Sequence, residues 1–247
     1  MSARRELFLE EMGLTPLWRL RTSGPTTTQD VSVTAVQSIA STEPALSDID
    51  DRAARIARMN WIELKATVAA CTACALCKTC TQTVFGVGDE QADWLLVGEA
   101  PGAEEDARGE PFVGQAGRLL DSMLAGIDLK RGEDVYIANV LKCRPPGNRN
   151  PEPLEMAQCA PHLMRQVELI QPKLILAMGR FACHALLDTD ASIASLRGRL
   201  HRYQGVPLIV TYHPAYLLRS LPDKAKAWED LCFARRTVAG LQARTTA

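Results

Sequence analysis

Residues 94–106 read WLLVGEAPGAEED. Trp94 to Val97 form a short apolar run, and the turn from Gly98 to Gly102 breaks it before the chain becomes acidic. A brief apolar run bounded by turn residues is the pattern of a strand buried on both faces. This one carries a carboxylate, Glu99, to its own carboxyl end. Glycine-rich turns after strands often cradle phosphates with backbone N–H groups. Here the Gly-Lys-Ser/Thr ending is missing, and four acids, Glu99, Glu104, Glu105 and Asp106, would repel phosphate. In open α/β sheets, ligands gather beyond the carboxyl ends of the strands. Glu99 is therefore a candidate for chemistry, with a solvated turn acid as the plain alternative.

From Trp94 onward the pattern alternates. Strands are expected over 94–98, 135–141, 174–178 and 207–212, and helices over about 116–126, 152–170, 180–187 and 224–241. Strands alternating with helices imply right-handed crossovers and a parallel sheet covered on both faces. The expected fold is a three-layer α/β/α sandwich whose central parallel sheet has about four strands.

Upstream, residues 3–21 have helical spacing in Leu7, Met12 and Leu17, whereas 11 of the 26 residues from Thr22 to Ser47 are Ser or Thr. The latter composition reads as a flexible linker. A helical pattern resumes from Arg52 to Ala70 through Ile56, Met59, Ile62 and Leu64. The chain thus divides into residues 1–60, a helix and linker, and residues 61–247, the α/β domain with the cysteine segment.

Formal net charge is −1 over 247 residues, but the charge is unevenly spread. Cys71 to Asp134 hold 5 Lys/Arg against 12 Asp/Glu, and Val135 to Ala247 hold 15 against 8, a surplus of seven. The second half can present a phosphate-facing surface. No run approaches the ~18 apolar residues that span a bilayer, and the amino terminus lacks a secretory pattern. The expectation is a cytoplasmic protein with no membrane partner.

Eight cysteines in a reducing compartment argue against a disulfide framework. CTACALCKTC supplies Cys71, Cys74, Cys77 and Cys80, while Cys143 and Cys159 flank an Arg/Pro/Asn-rich segment. The second pair is spaced wrongly for a zinc ribbon. The run at 71–80 departs from the ferredoxin pattern, since Thr81 stands where proline would follow. Cys183 and Cys232 lie in helical patterns and read as buried apolar residues. The stretch VTYHPAYLLR, residues 210–219, repeats the opening logic, because a strand ends in His213. A histidine and a glutamate at the carboxyl ends of two strands point to a shared site. Tyr216, Leu217, Leu218 and Arg219 follow, either as a wedge into a base stack or as a helix start packing its leucines inward.

GEAPG at 98–102, GEPFVGQAG at 109–117, NVLKCRPPGNRNP at 139–151 and HPAYLLR at 213–219, together with the cysteine spacing, resemble the iron–sulfur, type 4 uracil-DNA glycosylases. The resemblance runs from Cys71 to about Ala239, roughly two thirds of the chain. It implies a 4Fe–4S cluster held by Cys71, Cys74, Cys143 and Cys159, with Cys77 and Cys80 extra to that set. It implies hydrolysis of the N-glycosidic bond of deoxyuridine in DNA, the first step of base excision repair, by a monomer acting on single- or double-stranded DNA. Glu99 would orient or activate water, and His213 would stabilise the uracil anion. Phe112 would stack on the base, and Asn139 would read its N3–H and O4. Gly98, together with backbone N–H groups around Ala100 and Gln115, would complete the pocket. Arg144, Asn148, Arg149, Tyr216, Leu217 and Arg219 would contact DNA. The alternative is a relative that binds or covalently traps uracil-DNA without turnover. Trapping relatives carry a basic, histidine-containing insertion after the strand that bears Asn139, and KCRPPGNRNP contains no histidine.

Overall fold

A computed structural model describes residues 46–245, within a compact unit running from Pro44 to Ala247. The expected helix over 3–21 and most of the expected linker lie outside the described residues. The element order is α1 (Leu46–Ile56), α2 (Trp61–Ala69), β1 (Val87–Gly88), β2 (Trp94–Gly98), α3 (Ala103–Arg108), α4 (Gln115–Ala125), β3 (Val135–Asn139), α5 (Pro153–Ile170), β4 (Leu174–Met178), α6 (Arg180–Leu187), α7 (Ile193–Leu196), β5 (His201–Tyr203), β6 (Val206–Thr211), α8 (Pro214–Leu217) and α9 (Asp223–Thr245). Two 3-10 turns, Ala75–Lys78 and Pro146–Asn148, lie in the cysteine-rich segment and in the loop after β3.

Six strands form one sheet in the order β1-β3-β2-β4-β6-β5. The four inner strands are parallel, as their apolar runs predict. The two edge strands are antiparallel and have only two and three residues, too few to leave a periodic signal. Alternation along β2 sorts its side chains. Leu95 and Val97 face a core shared with α5 and α6, whereas Trp94 and Leu96 face one shared with α4 and α9. Both faces are therefore dry. Each fully buried leucine contributes about 1.5–3 kcal/mol relative to exposure.

The helical pattern from Arg52 to Ala70 is two helices rather than one, and the first begins at Leu46, inside the stretch read as linker. Asn60 separates them. Its side chain accepts from the Glu63 N–H while Glu63 reaches back to the Asn60 N–H, a reciprocal cap that starts α2. Strand β3 ends at Asn139, two residues earlier than expected. From there Leu141 and Cys143 turn into a separate small core with Leu76.

Candidate functional site

The carboxyl ends of β2, β3, β4 and β6 open into one cleft of about 1020 Å3, lined by Glu99, Phe112, Asn139, Gly179, Arg180 and His213 among others. Parallel strands end on the same side of the sheet, so residues far apart in sequence meet there. The four acids of the opening stretch have separate fates. Asp106 is buried and accepts from the Thr81 N–H and hydroxyl at 2.9 and 2.8 Å, tying α3 to the cysteine segment. Glu105 bridges two loops, accepting from the N–H groups of Val113, Gly114 and Gly102 at 3.0, 3.2 and 3.1 Å. Glu104 pairs with Arg108 at the surface. Glu99, Glu104 and Glu105 all line the cleft, and Glu99 is the one whose carboxyl burial pushes up to about 6, against the pull of Arg180.

His213 is the N-cap of α8. Its Nδ1 accepts from the Ala215 N–H at 3.1 Å, which leaves Nε2 to carry the proton of the neutral ring. Burial, helped by Arg219, pulls its pKa down to about 4. The ring is a neutral N–H donor at ordinary pH. Phe112 stacks on it, with ring centroids 5.4 Å apart at 29°. Phe112 has φ +55, a left-handed backbone unusual for a bulky residue. Arg131 holds it there, donating to the carbonyls of Pro111 and Phe112 at 3.0 and 2.8 Å while paired with Asp121. Arg131 and Gly179 were not legible as site residues in the sequence, because each acts through contacts with segments well removed in sequence. Gly179, with φ +89, lies where a β-carbon would approach the His213 Cβ to 2.8 Å.

Asn139 is buried, and its Oδ1 has no hydrogen-bond partner among the described residues. A β-carbon on Gly98 would fall 2.4 Å from that oxygen and 2.6 Å from Phe112 Cζ. Gly98 is thus the floor on which both side chains lie. Gly98→Ala is expected to displace them and lower kcat/KM by about a hundredfold, since a misplacement of about 1 Å at a reacting centre costs that much. Steady-state assay of protein with an unchanged circular dichroism spectrum checks it, and unchanged kinetics would show that the floor tolerates a methyl group.

Ala100 and Gln115 line the same cleft. Gln115 is the first residue of α4, so its N–H has no partner inside the helix. Tyr216 and Arg219 stand exposed at the cleft's edge, and Tyr216 stacks on Tyr212 at 5.2 Å. Leu217 is buried and Leu218 is 39% exposed, so the leucine open to a base stack is Leu218 rather than Leu217. The short helix α8 turns Leu217 inward. Arg144 donates to Asn148 at 2.7 Å, and Arg149 is held by Glu155 in a two-point ion pair.

Behind Asn139 lies a second site. Cys71, Cys74, Cys77, Cys143 and Cys159 line one cavity together with Leu76, Leu141, Gln158 and His162. Cys80 is adjacent, against Cys143. Cys183 is buried away from this group, in the core with α6, and Cys232 is half-buried on α9. Burial pushes the Cys159 thiol up to about 11, and burial together with Cys80 raises that of Cys143. Donors converge on the sulfurs: the Lys142 N–H points at Cys159 Sγ at 3.3 Å, and Arg52 at Cys71 Sγ at 3.6 Å. Gln158 Nε2 and His162 Nδ1 are buried without a partner among the described residues, and both residues line the cavity. The centre touches the cleft twice. Ala100 packs on it, and the buried Lys142 donates to the Asn139 carbonyl at 2.9 Å and to Gln166 at 2.6 Å.

A family model of the uracil DNA glycosylase superfamily matches residues 85–232. The type-4 uracil-DNA glycosylase of Archaeoglobus fulgidus is 48% identical over 159 residues, 61% of this chain and 79% of that protein. That of Thermotoga maritima is 46% identical over 161 residues, covering 64% and 83%. The type-4 protein of Pyrobaculum aerophilum is 39% identical over 181 residues, covering 70% and 92%.

Proposed function

Since the chain belongs to the uracil-DNA glycosylase superfamily, and within it to the type 4 enzymes, we propose that it hydrolyses the bond between uracil N1 and deoxyribose C1′ in DNA with Glu99 and His213 as its catalytic pair. The observation that carries this reading is their convergence: an ionisable carboxylate and a neutral imidazole donor line one cleft beside Phe112 and Asn139.

Cleaving the bond leaves negative charge on the uracil and positive charge on the sugar. The Nε2–H of His213 donates to uracil O2 as charge collects there. A preorganised donor of this kind contributes about 2.7–4 kcal/mol. Ionised Glu99 orients water against C1′, takes its proton and stabilises the cationic sugar. Phe112 stacks on the extruded base. The unpartnered Oδ1 of Asn139 accepts from uracil N3–H while the amide nitrogen donates to O4. Cytosine presents the reverse pattern at those two atoms, so a fixed carboxamide rejects it. Backbone N–H groups near Ala100 and Gln115 hold the remaining polar atoms. Arg144, Asn148, Tyr216 and Arg219 border the DNA path. Arg149 already pairs with Glu155, so its part is to shape the loop.

The cysteine centre fits a 4Fe–4S cluster ligated by Cys71, Cys74, Cys143 and Cys159. Its donors are all sulfur, and buried N–H groups stand around it. Among the described residues no three His, Cys, Asp or Glu side chains are close enough to share one metal ion, and cluster ligands each bind a separate iron. The cluster's contribution is structural: it ties together the cysteine segment, the Ala100 loop and the chain after Asn139. The catalytic domain then includes helix α1 as well as residues 61–247, because α1 packs within the same compact unit.

Uracil release from single-stranded, U:A and U:G oligonucleotides, with iron counted in the same sample, tests the reading. Release without added metal and about four irons per chain, as a 4Fe–4S cluster requires, are expected. Binding without release would turn the reading into a non-turnover uracil-DNA binder. Full visible absorption in Cys71→Ala protein would remove that ligand assignment.

A further inference from the structure

Helix α1 lies upstream of residue 85, where the family match begins. It is nevertheless docked: Ile56 is fully buried, and α1 packs on α5, the helix that carries Cys159. From its middle, Arg52 reaches inward as a half-buried side chain. Nη1 donates to the Gln158 carbonyl at 2.7 Å. Nη2 donates to Cys71 Sγ at 3.6 Å and to His162 Nε2 at 2.8 Å. One guanidinium thus bridges the first cysteine of the chain and the helix turn that holds the last cysteine of the proposed set.

The chemistry suits that position. A guanidinium is planar, stays charged and offers five donors in a fixed fork, so it can hold two segments at a set spacing. Because Nη2 can only donate, His162 Nε2 must accept, and the neutral ring then carries its proton on Nδ1. Arg52 therefore also fixes which nitrogen His162 turns toward its other neighbours. Thiolate ligands and sulfides carry a net negative charge. Groups just outside the ligands that donate to sulfur strengthen metal binding and raise the reduction potential.

We propose that Arg52 is a positioning residue for the cysteine centre: it pins Cys71 to the Gln158–His162 turn, slows loss of the iron–sulfur cluster and raises its potential. The inference rests on the cluster reading above and extends it to a segment outside the family match. It gives α1 a task, which is to bring a cation to a site whose ligands all lie elsewhere.

The test uses the full-length chain purified without oxygen as wild type, Arg52→Gln, Arg52→Lys and Arg55→Gln, the last at an exposed arginine on the same helix. Iron content, visible absorption during exposure to a chelator, and midpoint potential by spectroelectrochemistry are read for each. Arg52→Gln is expected to lose absorption about 10–100-fold faster and to show a more negative potential. Arg52→Lys, keeping charge without the fork, should recover the potential more than the retention. Arg55→Gln should match wild type. Arg52→Gln matching wild type in both retention and potential would overturn the inference while leaving the cluster intact. Equal losses in Arg52→Gln and Arg55→Gln would also overturn it, by reducing the effect to helix docking. Wild-type protein without iron would overturn the cluster reading itself, and the inference with it. If Arg52→Gln folds poorly, Arg52→Lys carries the comparison.

Discussion

Glu99→Gln protein is expected to release uracil at least about a hundredfold more slowly than wild type, the usual contribution of a positioned general base. Glutamine keeps the size of the side chain but can neither take a proton nor lend charge to the sugar. The pH profile should make the loss specific. With the carboxyl raised to about 6 by burial, the active ionised form disappears as pH falls through 6. Wild-type kcat/KM should then drop about tenfold per pH unit below that point. Glu99→Gln should lack this limb. His213 does not interfere, because its ring is already neutral above about 4. A raised carboxyl pKa also means that the folded chain holds the proton more tightly than the unfolded chain. Ionising Glu99 therefore costs stability as pH rises through that window, and Glu99→Gln should melt no lower than wild type at pH 8. A variant that is slow but at least as stable separates chemistry from folding. A wild-type acid limb retained in Glu99→Gln would give the proton transfer to another group.

His213→Ala is expected to slow single-turnover release by about 10²–10³-fold, as when one preorganised donor to a developing anion is lost. The Ala215 N–H occupies Nδ1, so the ring's proton sits on Nε2, and the low pKa keeps the ring from becoming a cation that would bind anions indiscriminately. The donor is thus neutral, oriented and preorganised. His213→Gln, which keeps an N–H donor of similar reach, should recover part of the loss, whereas His213→Phe keeps the contact with Phe112 and should not. The acid limb near pH 6 should persist in all three, because it belongs to Glu99. Release by His213→Ala at the wild-type rate would remove the imidazole from the reaction.

The two catalytic candidates were legible because each ends an apolar strand, and the polarity break is local. The residues that hold them were not. Nothing near Arg131 in sequence signals that it clasps the carbonyls of Pro111 and Phe112. Glu105 belongs to an acidic run, yet it spends its carboxylate on the backbone N–H groups of two loops. In the motif HPAYLLR, composition left two readings of its leucines open. Packing divided them, turning Leu217 in and Leu218 out. The resemblance gave Arg149 a DNA contact, whereas Glu155 on the next helix pairs with it.

By itself, the sequence determined the four inner strands, the helices between them, the strand-end placement of Glu99 and His213, and the clustering of cysteines. All of these follow from short-range periodicity and turn chemistry, which need no knowledge of distant partners. Only the tertiary structure decided that Asp106 turns to Thr81, that Arg131 clasps the Phe112 loop, and that an arginine from α1 reaches the cysteine centre. Those outcomes depend on hydrogen bonds and burial between segments up to about a hundred residues apart, and the local pattern of a chain carries no record of such contacts.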